Sequence, residues 1–77
     1  MGDDVADRVK KVTAQVLGCN ADDLEEKTSF VNLGAESLDS IRLVAGFEQE
    51  FDIDMDEDAA LQVQTIGKAI EFIKQYV

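Results

Sequence analysis

Three stretches of this chain repeat apolar side chains at intervals of three and four residues, the period at which one face of an α-helix comes round. Val5, Val9, Val12 and Val16 form the first stripe. Leu38, Ile41, Val44 and Phe51 form the second, with Leu43 and Phe47 flanking it. Ile66, Ala69, Ile70, Ile73 and Val77 form the third. No stretch shows the strand pattern of alternating polar and apolar residues, and there is no proline to break a helix. A helix with one apolar face must bury that face against another element, and three such helices close into a bundle. The expected fold is therefore all-α: three long helices plus one short helix, forming a single domain over residues 1–77.

Local signals set the boundaries. Asp3 and Asp4 suit the start of a first helix running from about Asp4 to Leu17, and Gly18 suits its stop. A second helix spans about Leu38 to Phe51. Asp56 is positioned to cap a short helix from Glu57 to Gln62, with acids in its first turn. Thr65 is a fair cap for the last helix. Residues 18–36 make a connection longer than an ordinary loop. Within it, Asn20 to Leu24 read as one capped turn, while Leu24, Phe30, Val31 and Leu33 are spaced to pin the segment onto the helices.

Charge narrows the function. There are 17 acidic residues against 7 basic, a net charge of −10. Such a chain repels nucleic-acid phosphates and anionic lipid, which argues against both as partners. It favours fast, salt-sensitive association with basic protein surfaces, and it also favours solubility. No run of roughly 18 apolar residues exists to span a membrane. The start of the chain lacks a basic-then-apolar signal pattern, and Ala6 stands where a myristoylation motif requires Ser or Thr. A cytoplasmic protein is the expectation.

The residue inventory excludes more. With no His and one Cys, the chain cannot form an internal disulfide, an ordinary zinc site or a Ser-His-Asp triad. Cys19 reads as a small apolar filler, since nothing basic adjoins it to lower its pKa. The acidic run from Asp52 to Asp58 suggests a calcium loop. However, its sixth and twelfth positions are Glu57 and Val63 where Gly and Glu are needed, so no metal site is expected.

One polar residue stands apart. Ser37 precedes the first apolar residue of the second helix, so it reads as an N-cap at the positive end of the helix dipole. Three residues on stands Ser40, which offers no capping-box partner. An anion attached to the Ser37 oxygen is well placed there. Local sequence leaves open whether Ser37 does more than cap.

The segment Leu33-Gly34-Ala35-Glu36-Ser37-Leu38-Asp39 resembles the Gly-Ala-Asp-Ser-Leu-Asp signature of acyl carrier proteins. The resemblance extends along the chain in order: Asp7 to Val12 and Leu17-Gly18 for the first helix, Thr28 to Val31 before the signature, Phe47 to Asp52, then Thr65-Ile66 and Ala69 to Ile73. It implies that a phosphopantetheinyl transferase moves 4′-phosphopantetheine from coenzyme A to Ser37, using Mg²⁺. The arm's thiol then carries an acyl group as a thioester in fatty-acid or related lipid or polyketide synthesis. On this resemblance the chain is a monomeric, non-catalytic carrier. It also implies docking through Glu36, Asp39, Arg42, Ala45, Glu48 and Gln49 onto basic patches of acyl synthases, reductases and transferases. An acyl-chain pocket among Leu38, Ile41, Val44, Phe51, Ile66, Ala69 and Ile70 is implied too. Gly46 would make room for a neighbouring helix or for that chain. A peptidyl or aminoacyl carrier of the same fold is the alternative, against which Glu36 and the net charge argue.

Several positions depart from the family pattern. Glu36 replaces an Asp, one loop residue before Leu33 is missing, and Asp56 stands where Pro is common. Arg42 and Gln49 replace acids, and Ala45 replaces a larger apolar residue. Because rim charges tune partner choice, the cluster on one helix implies a specialised carrier with its own partner set.

Overall fold

The computed structural model describes residues 4–77. Its helices are α1 (Asp4–Leu17), α2 (Ser37–Phe51), α3 (Glu57–Ala60) and α4 (Ile66–Lys74). Two 3₁₀ turns, Ala21–Asp23 and Val31–Leu33, lie in the long connection. Among the described residues there is no strand, only an isolated antiparallel bridge between Ser29 and Thr65. The all-α bundle expected from the three stripes is the observed architecture. Asp3, expected at the start of α1, lies outside the described residues.

The helix ends follow the local chemistry. Gly18 adopts a left-handed conformation at φ 72°, and the N–H groups of Gly18 and Cys19 both donate to the Ala14 carbonyl at 2.9 and 3.1 Å. That closes α1, because a side chain at this φ would be strained. The Asn20 side chain accepts from the Asp22 N–H at 3.0 Å, making the capped turn. Asp56 accepts from the Ala59 N–H at 3.3 Å and Thr65 from the Lys68 N–H at 3.2 Å, capping α3 and α4. α3 is shorter than expected and stops at Ala60.

The core is built from α1 (Val9, Val12), α2 (Leu43, Phe47, Phe51) and α4 (Ile66, Ala69, Ile70, Ile73), with Leu24 and Phe30 added from the connection. α1 packs against both α2 and α4. Cys19 is half-buried against this core, as a filler would be.

The expected core face of α2 needs correction. Leu38 and Ile41 are 65% and 49% exposed, and Val44 is half-buried. The inward stripe is instead Leu43, Phe47 and Phe51, four residues apart. Both stripes satisfy helical spacing and share Phe51, but α2 presents only one to its neighbours. The stripe with two phenylalanines removes more apolar area from water. Val31 was expected to pin the connection and is 75% exposed, whereas Leu24 and Phe30 are buried. Val77 was expected to complete the α4 stripe. It is 61% exposed because the helix ends at Lys74.

Gly46 makes room for α1. A Cβ added there would lie 2.8 Å from Val12 Cγ1 and 3.6 Å from Val16 Cγ2. Nearby, Arg8 links the same two helices. Its Nε donates to Glu50 Oε2 at 2.8 Å, and its Nη2 donates to the Glu50 carbonyl. Its guanidinium carbon sits 4.4 Å from the Phe51 ring centroid, and its Nη1 lies 3.6 Å from Asp4 Oδ2. The hydrogen bond from Arg8 holds the Glu50 carboxyl below the usual carboxylate range, against the opposing effect of desolvation.

Candidate functional site

The site is a corner held by backbone bonds. The segment before α2 is strapped to the start of α4: Phe30 N–H donates to Gln64 O at 2.9 Å, Ile66 N–H to Thr28 O at 3.0 Å, and Gly67 N–H to Glu26 O at 2.8 Å. Phe30 is buried and anchors the strap. The chain then turns: Gly34 N–H donates to Val31 O at 2.9 Å and Ala35 N–H to Phe30 O at 3.0 Å. Gly34 takes the left-handed conformation at φ 85° that this turn needs. The turn delivers Glu36 and Ser37 to the start of α2.

Ser37 is not the cap. Glu36, at φ −106° and ψ 178°, is the N-cap residue, and Ser37 is the first residue of α2. The capping partner expected to be absent is Asp39, whose Oδ2 accepts from the Glu36 N–H at 3.0 Å. Counting from Ser37 pointed to Ser40 instead, and Asp rather than Glu or Gln fills the role. Freed from capping, Ser37 is exposed, and no hydrogen bond to its hydroxyl occurs among the described residues. The hydroxyl sits at the helix N-terminus, where unpaired backbone N–H groups and the dipole favour an anion by about 0.3–1 kcal/mol. A phosphodiester on this oxygen would face solvent without displacing any packed side chain.

The outward face of α2 begins beside Ser37. Leu38, Ile41, Arg42, Ala45 and Gln49 are exposed there, with Glu48 half-buried at its edge. Two of the acids expected to meet partners are engaged within the chain: Asp39 caps α2, and Glu48 Oε2 accepts from the Met55 N–H at 2.9 Å. Arg42 therefore stands on a face that is largely apolar. Glu36 is exposed at its start.

Behind the face lies a small, mainly apolar cavity of about 30 Å³. That is room for about two waters. Of the residues expected to form an acyl pocket, Val44 and Ala69 line it. Phe51, Ile66 and Ile70 are buried in the core but do not line it, and Leu38 and Ile41 lie on the surface. Ser40, Leu43, Phe47, Met55 and Phe72 line it instead. Leu43 and Phe47, read from the sequence as flanking the stripe, were the signal that would have located it. Among the described residues, no cluster of three or more His, Cys, Asp or Glu is placed to hold a metal ion. Nor is any helix among them long and apolar enough to cross a membrane.

Comparison with known proteins points the same way. The family model for a phosphopantetheine attachment site matches residues 7–73. An acyl carrier protein of Phenylobacterium zucineum (strain HLK1) is 45% identical over 73 residues, covering 94% of this chain and 92% of that protein. The match runs through the strapped loop, the Ser37 corner and all four helices. This chain belongs to the acyl carrier proteins, carriers that bear 4′-phosphopantetheine covalently.

Proposed function

We propose that Ser37 is the attachment residue and that the chain shuttles acyl thioesters among enzymes of fatty-acid or related acyl-chain synthesis. The observation that carries this reading is the exposed Ser37 hydroxyl at the first position of α2, held by a strapped loop and spared from capping by Glu36 and Asp39. The chain has no His to act as a base. The base must come from the transferase: it takes the Ser37 proton as the oxygen forms a bond to phosphorus of coenzyme A, and the bond to adenosine 3′,5′-bisphosphate breaks. Once attached, the arm supplies a thiol that holds acyl groups as thioesters. The chain positions that thiol, and the enzymes it visits do the chemistry.

Docking is assigned to the outward face of α2: Glu36, Arg42, Ala45 and Gln49, with Leu38 and Ile41 supplying apolar contact. Asp39 and Glu48 act at its edge with the carboxylate oxygens left over from their internal bonds. Acidity elsewhere steers the monomeric, cytoplasmic carrier to basic partners without nucleic-acid binding. Arg42 within an apolar face rejects partners whose docking patch is uniformly basic, which makes this a specialised carrier. The sheltering pocket is the cavity beneath Ser40 and Val44, widened when a chain enters.

Incubation with a transferase, Mg²⁺ and labelled coenzyme A, followed by proteolysis, should place the label on the peptide that contains Ser37. Label on any other peptide would refute the assignment. Loading of the arm by acyl transferases but not by amino-acid adenylates would separate this carrier from a peptidyl one.

A further inference from the structure

Two spaces meet at Phe72. On one side is the cavity of about 30 Å³ beneath α2. On the other is a surface groove of about 390 Å³ running between α3 and α4, with Gln62, Lys68 and Gln75 on its walls. Phe72 and Val63 line both. The Phe72 ring is the larger part of the wall, and it is braced. Tyr76 packs edge-on against it, with ring centroids 5.4 Å apart and planes at 68°. The Tyr76 hydroxyl in turn accepts from the Asp56 N–H at 3.1 Å, and Asp56 is the residue that caps α3. The wall is thereby tied to both helices that border the groove.

We propose that the Phe72–Tyr76 pair is a partition that sets how long an acyl chain this carrier shelters. The proposal rests on attachment at Ser37. Ser40, which lines the cavity, lies one turn along α2 from Ser37, so a chain borne on the arm enters from that end. The cavity accepts the first carbons by displacement of its lining, since burying methylene groups favours entry. Further carbons meet the Phe72 ring. Beyond it lies an open groove whose walls mix apolar side chains with amide, ammonium and carboxylate groups, where a methylene stays partly in water and gains less. The wall therefore ends the useful length of the pocket. Phe72 acts directly as the barrier, and Tyr76 positions it.

The test uses the full chain loaded at Ser37 from a series of acyl-coenzyme A donors, butanoyl to tetradecanoyl in even steps. Melting temperature and the rate of thioester cleavage by hydroxylamine are read at each length. In the wild type both protections should grow with length and then level off. Phe72→Ala should join cavity to groove and move the levelling point to longer chains by at least one step of the series. Tyr76→Ala should move it the same way, by less. Phe72→Leu keeps apolar volume but removes the aromatic brace, and it serves if the alanine variant fails to fold; it too should shift the point. Identical levelling in the wild type and every folded variant would overturn the partition alone. A chain that cannot be loaded at Ser37 would overturn the attachment reading, and this one with it.

Discussion

Gly46→Ala isolates the close approach that sets the position of α2 against α1. Two effects oppose each other. Replacing an interior glycine by alanine favours a helix by about 1 kcal/mol. The new Cβ, however, would lie 2.8 Å from Val12 Cγ1, closer than side chains tolerate. Val12 cannot yield easily: it is 4% exposed and, being β-branched, is confined to one rotamer in a helix. Overpacking of this kind costs about 1–3 kcal/mol. The net expectation is a loss of about 1 kcal/mol, or about 4–8 °C in Tm for a domain of this size. A double-mutant cycle with Val12→Ala, followed by urea and thermal unfolding, separates the effects. In the Val12→Ala background the contact is gone, and Gly46→Ala should stabilise by about 1 kcal/mol. If Gly46→Ala stabilises both backgrounds equally, the close approach of α1 and α2 at this point is refuted.

Three further outcomes are expected. The Arg8 hydrogen bond depresses the Glu50 carboxyl, so the unfolded chain takes up this proton first as pH falls. The stabilisation is whole above about pH 4.3 and is lost as pH drops through the lower folded value, so Glu50→Gln should flatten that part of the urea-midpoint profile. Arg42→Glu should change the association rate with at least one cognate enzyme and steepen its salt dependence; unchanged turnover with all of them would remove the case for a specialised partner set. With a net charge of −10, the fold should melt at higher temperature as salt or Mg²⁺ is added, and a flat profile would contradict charge crowding.

The helices were legible in the sequence because each signal is local. The valine stripe of α1, Gly18 as its stop, and Asn20, Asp56 and Thr65 as caps need only a few neighbouring residues to act. The rotation of α2 was not legible in this way. Leu38, Ile41 and Val44 fit the helical period as well as Leu43 and Phe47 do, and only burial in the common core, with α1 packed against α2, selects between them. The same rotation moves Leu38 and Ile41 from the core to the outward face, so one ambiguity accounts for both misplacements. The cap of α2 was missed for a different reason: it was placed one residue late, at Ser37, and Asp39 reaches back to Glu36 in a role usually filled by a longer side chain. Arg8 bonding Glu50, which lies 42 positions along the chain, is a tertiary fact that no local pattern reports.

The most direct trial of the account compares the wild type, Ser37→Ala and Ser40→Ala by intact mass after incubation with a phosphopantetheinyl transferase and coenzyme A. Ser40, half-buried and donating to the Glu36 carbonyl at 3.4 Å, is the nearby hydroxyl control. The wild type and Ser40→Ala should each gain one phosphopantetheine, while Ser37→Ala should gain none. Modification of Ser37→Ala at the wild-type rate would contradict the central claim that this one exposed hydroxyl is the tether.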